Sequence, residues 1–504
     1  MPAVIKRNPE DVASRHHELV VVGGGIYGIC LALEAAQRGI KVLMLERGDF
    51  GGKVSWNSLR ILHGGLRYLQ KMDLRRFYES VGERRWFLQH FPDLCGPLPC
   101  MMPLYGTGMR RASIFRVALK MNDVLSHRKN HNVDPANHLG GGKVISPDET
   151  VALFPQVDRD GLEGSAIWAD GQMRNSQRLF MELCRWAVSG GAELLNYVEA
   201  TGLESRDGAV CAVDAIDCKS GESLKFTCDR VVNAAGPWCA DVSESMGDGR
   251  RDLFPPALAF NVLFDRPPMA ETAVAVTAKE PGARTYFLHN EGGYLLGGTY
   301  HAPAEPSGKA RLGELVKDYI DQVNRAVPGL ELRGDQVLRV YGGMLRARKE
   351  GDEDPVDHPT ILDHGKSGGT KGLWTISGVK YTTARLVAEQ TVAAIYPGKS
   401  GSLQRPSHGA GAILALSDRV EELPLEEIVE AAKRILEEEA VTSFADLMLR
   451  RTAWALDPDV GARLARKIGP LIGYQAEEVE RCCEEIGQRF FQDKPKTSKL
   501  SEVA

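Results

Sequence analysis

No apolar run in this chain approaches the roughly 20 residues that a membrane-crossing helix requires. The opening stretch, MPAVIKRNPEDVASRHHE, has no apolar core of the kind a secretory signal needs. Basic charge is not in excess. Lys and Arg number 62 against 67 Asp and Glu, a net charge of −5, which argues against a general nucleic-acid binder. The ten cysteines show no C-x-x-C pair and no zinc spacing, although Cys482 and Cys483 are adjacent. Reduced thiols in a cytoplasmic protein are therefore expected. His127, His131 and His138 share one polar loop, but their spacing fits no standard metal site, and no metal is expected. Internal repeats and low-complexity blocks are missing as well.

What is present is a long chain of ordinary globular composition, 504 residues with 43% hydrophobic and 26% charged, enough for two or more domains. The stretch from Leu19 to Glu46, LVVVGGGIYGICLALEAAQRGIKVLMLE, organises it. Leu19 to Val22 reads as a fully buried strand. Gly23, Gly25 and Gly28 then fit G-x-G-x-x-G, Ile29 to Arg38 reads as a helix, and Lys41 to Leu45 as a second strand ending in Glu46. Gly23 allows the tight turn, Gly25 admits a pyrophosphate, and Gly28 lets the helix pack on the strand. The helix N-terminus offers free N–H groups to the phosphates, and Glu46 stands where an acid accepts a ribose 2′-OH. This chain binds a dinucleotide.

Further on, Asp73 to His90, Ile114 to Leu125, Gln177 to Ser189 and Leu312 to Val327 read as helices, and Ser146-Pro147-Asp148-Glu149 as a capping box. RVVNAAGPW (230 to 238) reads as another buried strand, and the alternation from Ala257 to Thr299 as an antiparallel sheet with a hairpin at Asn290 to Gly293. Residues 1–17 read as a flexible arm, 398–422 as a linker, 423–491 as a helical domain, with helices at Leu425 to Glu438, Ser443 to Ala455, Asp459 to Gly469 and Ala476 to Gly487, and 492–504 as a tail.

In GGGIYG, ILHGGLRY (Ile61 to Tyr68), VVNAAGPW and SGVKYTTAR, in that order, the chain resembles the FAD-dependent glycerol-3-phosphate dehydrogenase family, part of the flavoprotein group that includes D-amino-acid oxidases. The resemblance runs from Glu18 to Glu389 and reaches Leu449-Arg450-Arg451-Thr452. It implies an α/β fold: a Rossmann-like FAD-binding domain (about 18–90, 160–250 and 345–397) interleaved with an antiparallel-sheet substrate domain (about 91–159 and 251–344), plus the C-terminal helices. It implies FAD as cofactor, with Ser55 and Ser58 near the pyrophosphate and Arg47 beside Glu46. His63, Gly64 and Gly65 would lie beside the isoalloxazine, Val198 by the adenine, and Ala235 and Gly236 on the second strand. Gly378 to Thr382, with Lys380 and Tyr381, would start a helix facing the flavin.

On the substrate side the resemblance implies that Arg67, Arg346 and Lys380 converge on an anionic group, with His301 a candidate base. The implied reaction is oxidation of a hydroxyl-bearing carbon of a small anionic substrate by hydride transfer to flavin N5. Amine or amino-acid oxidation is the alternative. The implied partners are the substrate and an electron acceptor, quinone or oxygen. A homodimer and a peripheral contact with the inner face of a membrane are compatible with the family. Four departures stand out. An arginine usual near Leu362-Asp363 is absent, Gly298-Thr299-Tyr300-His301 replaces G-T-T-D, an S-H step is replaced around Phe260-Asn261, and Arg346 falls one residue out of register in YGGMLR. The missing arginine would leave room for a larger phosphorylated or carboxylated hydroxy compound, with glycerol 3-phosphate handled more slowly.

Overall fold

In the computed structural model the described residues are 3–106, 111–247, 250, 253–280, 282–304, 309–356, 358–378, 380–406, 420–488 and 490–491. Three sheets and a helical layer make up the fold. The first sheet runs Thr360–Asp363, Leu373–Ser377, Val231–Asn233, Leu19–Val22, Val42–Glu46, Glu193–Asn196, parallel throughout except for its first, antiparallel edge strand. All four residues of Leu19–Val22 are buried, as expected for a central parallel strand covered on both faces. The helix Ile26–Gln37 is buried over nearly its whole surface because the helices Ser176–Ser189 and Ala384–Ile395 pack on it.

A four-stranded sheet of His16–His17, Ser223–Cys228, Ala209–Asp217 and Val198–Arg206 lies beside this core. The third sheet has ten strands. Its path is Phe490–Phe491, Val337–Arg346, Pro256–Phe264, Tyr294–Pro303, Thr285–Glu291, Ala273–Thr277, Cys95–Leu104, Gly164–Met173 and Ile61–Leu62, with Lys143–Ile145 joined to Gly164–Met173. It is mostly antiparallel, and the expected hairpin is there: Asn290 accepts a hydrogen bond from the Gly293 N–H at 2.8 Å. The capping box at Ser146 and Glu149 is also formed.

Three C-terminal helices, Leu425–Glu438, Pro458–Ile468 and Ala476–Ile486, pack around Trp454 and share a core with Trp56 and with Leu263, Leu296 and Tyr341 of the ten-stranded sheet. All ten cysteines are unpaired. Among the described residues no helix is long and apolar enough to cross a membrane.

Three expectations need correction. The N-terminal arm is not loose: Pro9–Ala13 is helical, His16–His17 pairs with the Ser223–Cys228 strand, and Arg7 ion-pairs with Asp217. Short polar segments carry no hydrophobic period, so such tethers leave little trace in sequence. The second C-terminal helix is one π-helical turn, Asp446–Arg451, rather than a helix from Ser443 to Ala455. The flavin-facing helix begins only at Ala384, with Thr383 as N-cap, so Gly378 and Lys380 to Thr382 lie before it rather than within it. Of the expected linker and tail, 407–419 and 492–504 lie outside the described residues.

Candidate active site

A cavity of about 1890 Å³ runs from the glycine turn to the substrate sheet. That volume exceeds a typical small-ligand pocket and suits a dinucleotide with a substrate beside it. At its start, Gly23 holds φ +107, a left-handed conformation costly for other residues. Gly25 caps the helix Ile26–Gln37 with backbone only, and the Ile26 N–H donates to Ser55 Oγ at 2.9 Å. Gly28 does not line the cavity. A Cβ there would stand 1.8 Å from the Gly23 oxygen, so its task is helix-to-strand packing.

Glu46 ends the second strand and accepts from the N–H groups of Gly24 (2.7 Å) and Gly48 (2.8 Å). Burial pushes its pKa up, and those two donors oppose the shift. Arg47 lies over the Trp238 ring at 4.6 Å, and both line the cavity with Ser58, Val198, Ala235 and Gly236. Glycine turn, bare helix N-terminus, buried acid and elongated cavity together fit FAD, and these residues would hold its adenosine and pyrophosphate.

Midway, His63 and Gly65 line the wall, while Gly64 stands behind it. A Cβ on Gly64 would meet Arg84 Nη1 at 1.9 Å. The organiser here is Asp170, which sequence reasoning passed over. It accepts from the Gly64 N–H (2.7 Å) and Arg84 (2.8 Å), and its other oxygen lies 3.3 Å from His63 Nδ1. Burial would raise its pKa, but the hydrogen bond and charge of His63, with Arg84 and the Gly64 N–H, hold it at about 2. A buried acid next to a glycine on a sheet strand carries no distinctive sequence signal.

The loop before Ala384 is clamped to the glycine-turn helix. The Tyr27 hydroxyl donates to the Lys380 carbonyl at 2.9 Å, and a Cβ on Gly378 would collide with the Tyr27 ring. Gly378, Lys380, Tyr381 and Thr382 all line the cavity. Lys380 Nζ lies 4.0 Å from the Tyr68 ring centroid. Burial, and then the Arg67 charge, lower its pKa to about 8.

Arg67 and His301 also line the cavity. His301 Nδ1 is 3.6 Å from Asp354, and its carbonyl accepts from Arg284 at 2.8 Å. Burial, then Arg284, lowers the His301 pKa. Arg284, a second residue missed from sequence, lines the cavity and ion-pairs with Glu353 at 2.8 Å.

Arg346 is not brought to the site. Leu345 lines the cavity at that point of the strand Val337–Arg346, and Arg348 lines it beyond the strand end. Gly343, Met344 and Leu345 line the cavity in succession, and the lining stops one residue before Arg346. Leu362 is not a lining residue either. It lies on the edge strand, paired with Thr375.

Comparison with known proteins agrees with this geometry. Residues 18–394 match the family model described as FAD dependent oxidoreductase. Glycerol-3-phosphate dehydrogenase of Synechocystis sp. is 30% identical over 421 residues, 79% of this chain and 72% of that protein. The mitochondrial glycerol-3-phosphate dehydrogenase SDP6 of Arabidopsis thaliana is 29% identical, and the match spans 62% of its length. The structure of the Bacillus halodurans glycerol-3-phosphate dehydrogenase complexed with FAD superposes with a TM-score of 0.67 at 20% identity, covering 94% of this chain and 95% of that one. A cavity shaped for a dinucleotide, on a sheet built in this order, thus has its counterpart in sequence: the chain is an FAD-dependent oxidoreductase and belongs to the glycerol-3-phosphate dehydrogenase family.

Proposed function

We propose that the protein oxidises the hydroxyl-bearing carbon of a small phosphorylated polyol, with glycerol 3-phosphate first among the candidates. One observation carries this reading. Lys380 and Arg67 both line the cavity, and among the described residues neither has a carboxylate partner at ion-pairing distance. A desolvated ammonium without a counter-charge is costly, and a phosphate supplies one with charge-assisted hydrogen bonds. An amino acid offers a single carboxylate to the two cations and adds an ammonium of its own.

When bound, FAD supplies the hydride acceptor. His301 takes the hydroxyl proton: its lowered pKa leaves the imidazole neutral at pH 7 and able to accept. Lys380 and Arg67 fix the phosphate and so set the distance between the reacting carbon and His301. Asp170 locks His63 and Gly64 in place, and Arg284 holds the His301 backbone. The chain's similarity to glycerol-3-phosphate dehydrogenases favours this substrate.

Anaerobic mixing with glycerol 3-phosphate, other phosphorylated polyols, hydroxy acids and amino acids, read as bleaching of the visible flavin band, tests the proposal. A phosphorylated polyol should bleach fastest. Lys380→Ala should lower kcat/KM at least tenfold, about 1.4 kcal/mol of transition-state stabilisation. Fast bleaching by an amino acid, with none by any alcohol, overturns it in favour of amine oxidation.

We also infer a peripheral contact with an anionic membrane surface. Met72, Leu74 and Tyr78 are 67%, 40% and 49% exposed, and Val117 and Val124 on the neighbouring helix Ala112–Leu125 are 67% and 71% exposed. Lys71, Arg116 and Lys120 lie exposed on the same segments, and Arg75, also exposed, pairs with Glu79 at 3.0 Å. Apolar side chains ringed by cations match an interfacial surface with acidic headgroups.

A further inference from the structure

The turn that follows Glu46 has two faces. On one, Arg47, Gly51, Gly52 and Lys53 line the cavity at the end where Glu46 would meet the adenosine ribose. On the other, the Asp49 side chain points away into the C-terminal helical layer and is 1% exposed. Arg451 grips it with both ends of its guanidinium, at 2.6 Å and 2.8 Å. Arg450 Nε adds a third bond at 3.2 Å, and Asn196, at the end of the outer parallel strand, a fourth at 3.0 Å. The Arg450 stem packs on the turn itself, since a Cβ on Gly52 would stand 3.1 Å from its Cδ. Backbone bonds also hold the turn: Gly51 N–H to the Gly24 carbonyl at 2.9 Å and Tyr197 N–H to the Gly48 carbonyl at 2.9 Å.

We propose that Arg450 and Arg451, acting through Asp49, are positioning residues for the adenosine half of FAD, so that the C-terminal helical layer sets the affinity for the cofactor without touching it. The two arginines come from a single π-helical turn, Asp446–Arg451. In an α-helix neighbouring residues point about 100° apart. The wider turn and the anchoring of Asp446 by Tyr197 (2.7 Å), Thr442 (3.0 Å) and Arg450 (3.2 Å) let both guanidiniums reach one carboxylate. Burial would lower the pKa of both arginines, and the Asp49 charge more than offsets it, so both remain cations. The bidentate geometry is one that lysine cannot reproduce.

The test compares FAD with FMN, which has the flavin and one phosphate but no adenosine. Full-length chain freed of flavin is titrated with each, followed by quenching of flavin fluorescence. Arg451→Gln should reduce the preference for FAD over FMN at least tenfold, and Arg451→Lys should restore little of it. General damage to the fold would weaken both flavins alike. Arg450→Gln guards against loss of fold, because that side chain is 15% exposed and its removal strips one bond from Asp49. It should lower the preference at least threefold while the thermal midpoint of the flavin-free chain stays near wild type. An unchanged FAD-to-FMN preference in Arg450→Gln or in soluble Arg451→Gln overturns the proposal.

Discussion

Lys380 holds its proton only loosely for a lysine, and that has a direction in pH. Its pKa in the free protein is about 8, below the ordinary lysine value, because the charged form loses solvation and faces Arg67. A bound anion favours the charged form and draws the proton back. Anion affinity is therefore complete below about pH 8 and falls as pH rises through it. The KM for an anionic substrate should be flat from pH 7 to 7.5 and then rise, approaching tenfold per pH unit above about 8. Steady-state kinetics of wild type and Lys380→Arg checks this, since an arginine stays charged and should move the rise above pH 9. A flat KM to pH 9.5 in wild type removes Lys380 from the anion site. Residues of this kind were partly visible in sequence. Lys380, Arg67 and His63 sit in motifs whose glycines announce close approach, whereas Asp170 and Arg284 acquire meaning only from what the fold brings to them.

At the scale of the element, the strand, turn and helix from Leu19 to Gln37 was fully legible, because its chemistry is local. A buried run, a glycine spacing and a helix period all lie in consecutive residues. The same unit makes a sharp prediction about its glycines. Gly28→Ala puts a methyl 1.8 Å from the Gly23 oxygen, which is backbone and cannot yield. Gly25→Ala meets only Ser55 Oγ at 3.3 Å, so the free chain tolerates it while the pyrophosphate loses its space. The first variant should be insoluble or lose several degrees in Tm. The second should fold with the Tm of flavin-free wild type yet purify colourless. Thermal scans with and without added FAD distinguish the two, and a yellow Gly25→Ala protein would contradict the assignment. Other elements were legible only to within a residue. On the strand Val337–Arg346 that was not enough, because the cavity lining ends at Leu345, one residue before Arg346. The π turn at Asp446–Arg451 had no sequence signature, as its width follows from contacts with Asp49 and Tyr197.

For the whole molecule, the apolar and basic surface around Met72 and Val117 predicts behaviour that the active site does not. The full chain should sediment with vesicles containing about a third anionic lipid, and release from them should follow added salt, since the attraction is screened within about 10 Å at 0.1 M. Val117→Asp with Val124→Asp should abolish sedimentation and leave flavin content unchanged. Equal sedimentation with purely zwitterionic vesicles counts against a basic lipid-facing surface. The same global view bears on biosynthesis, through the order in which the chain supplies its cofactor site. The glycine turn is made before the rest of the site, and the strand Val231–Asn233 that flanks Leu19–Val22, the loop at Lys380 and the grip of Arg451 on Asp49 follow hundreds of residues later. At about 5–20 residues per second that delay is tens of seconds. Throughout it the nascent chain has no closed pocket and an apolar strand, Leu19–Val22, with one partner missing. Flavin can therefore be held fully only once the Lys380 loop and the Arg451 turn have been made, long after the glycine turn that begins its site.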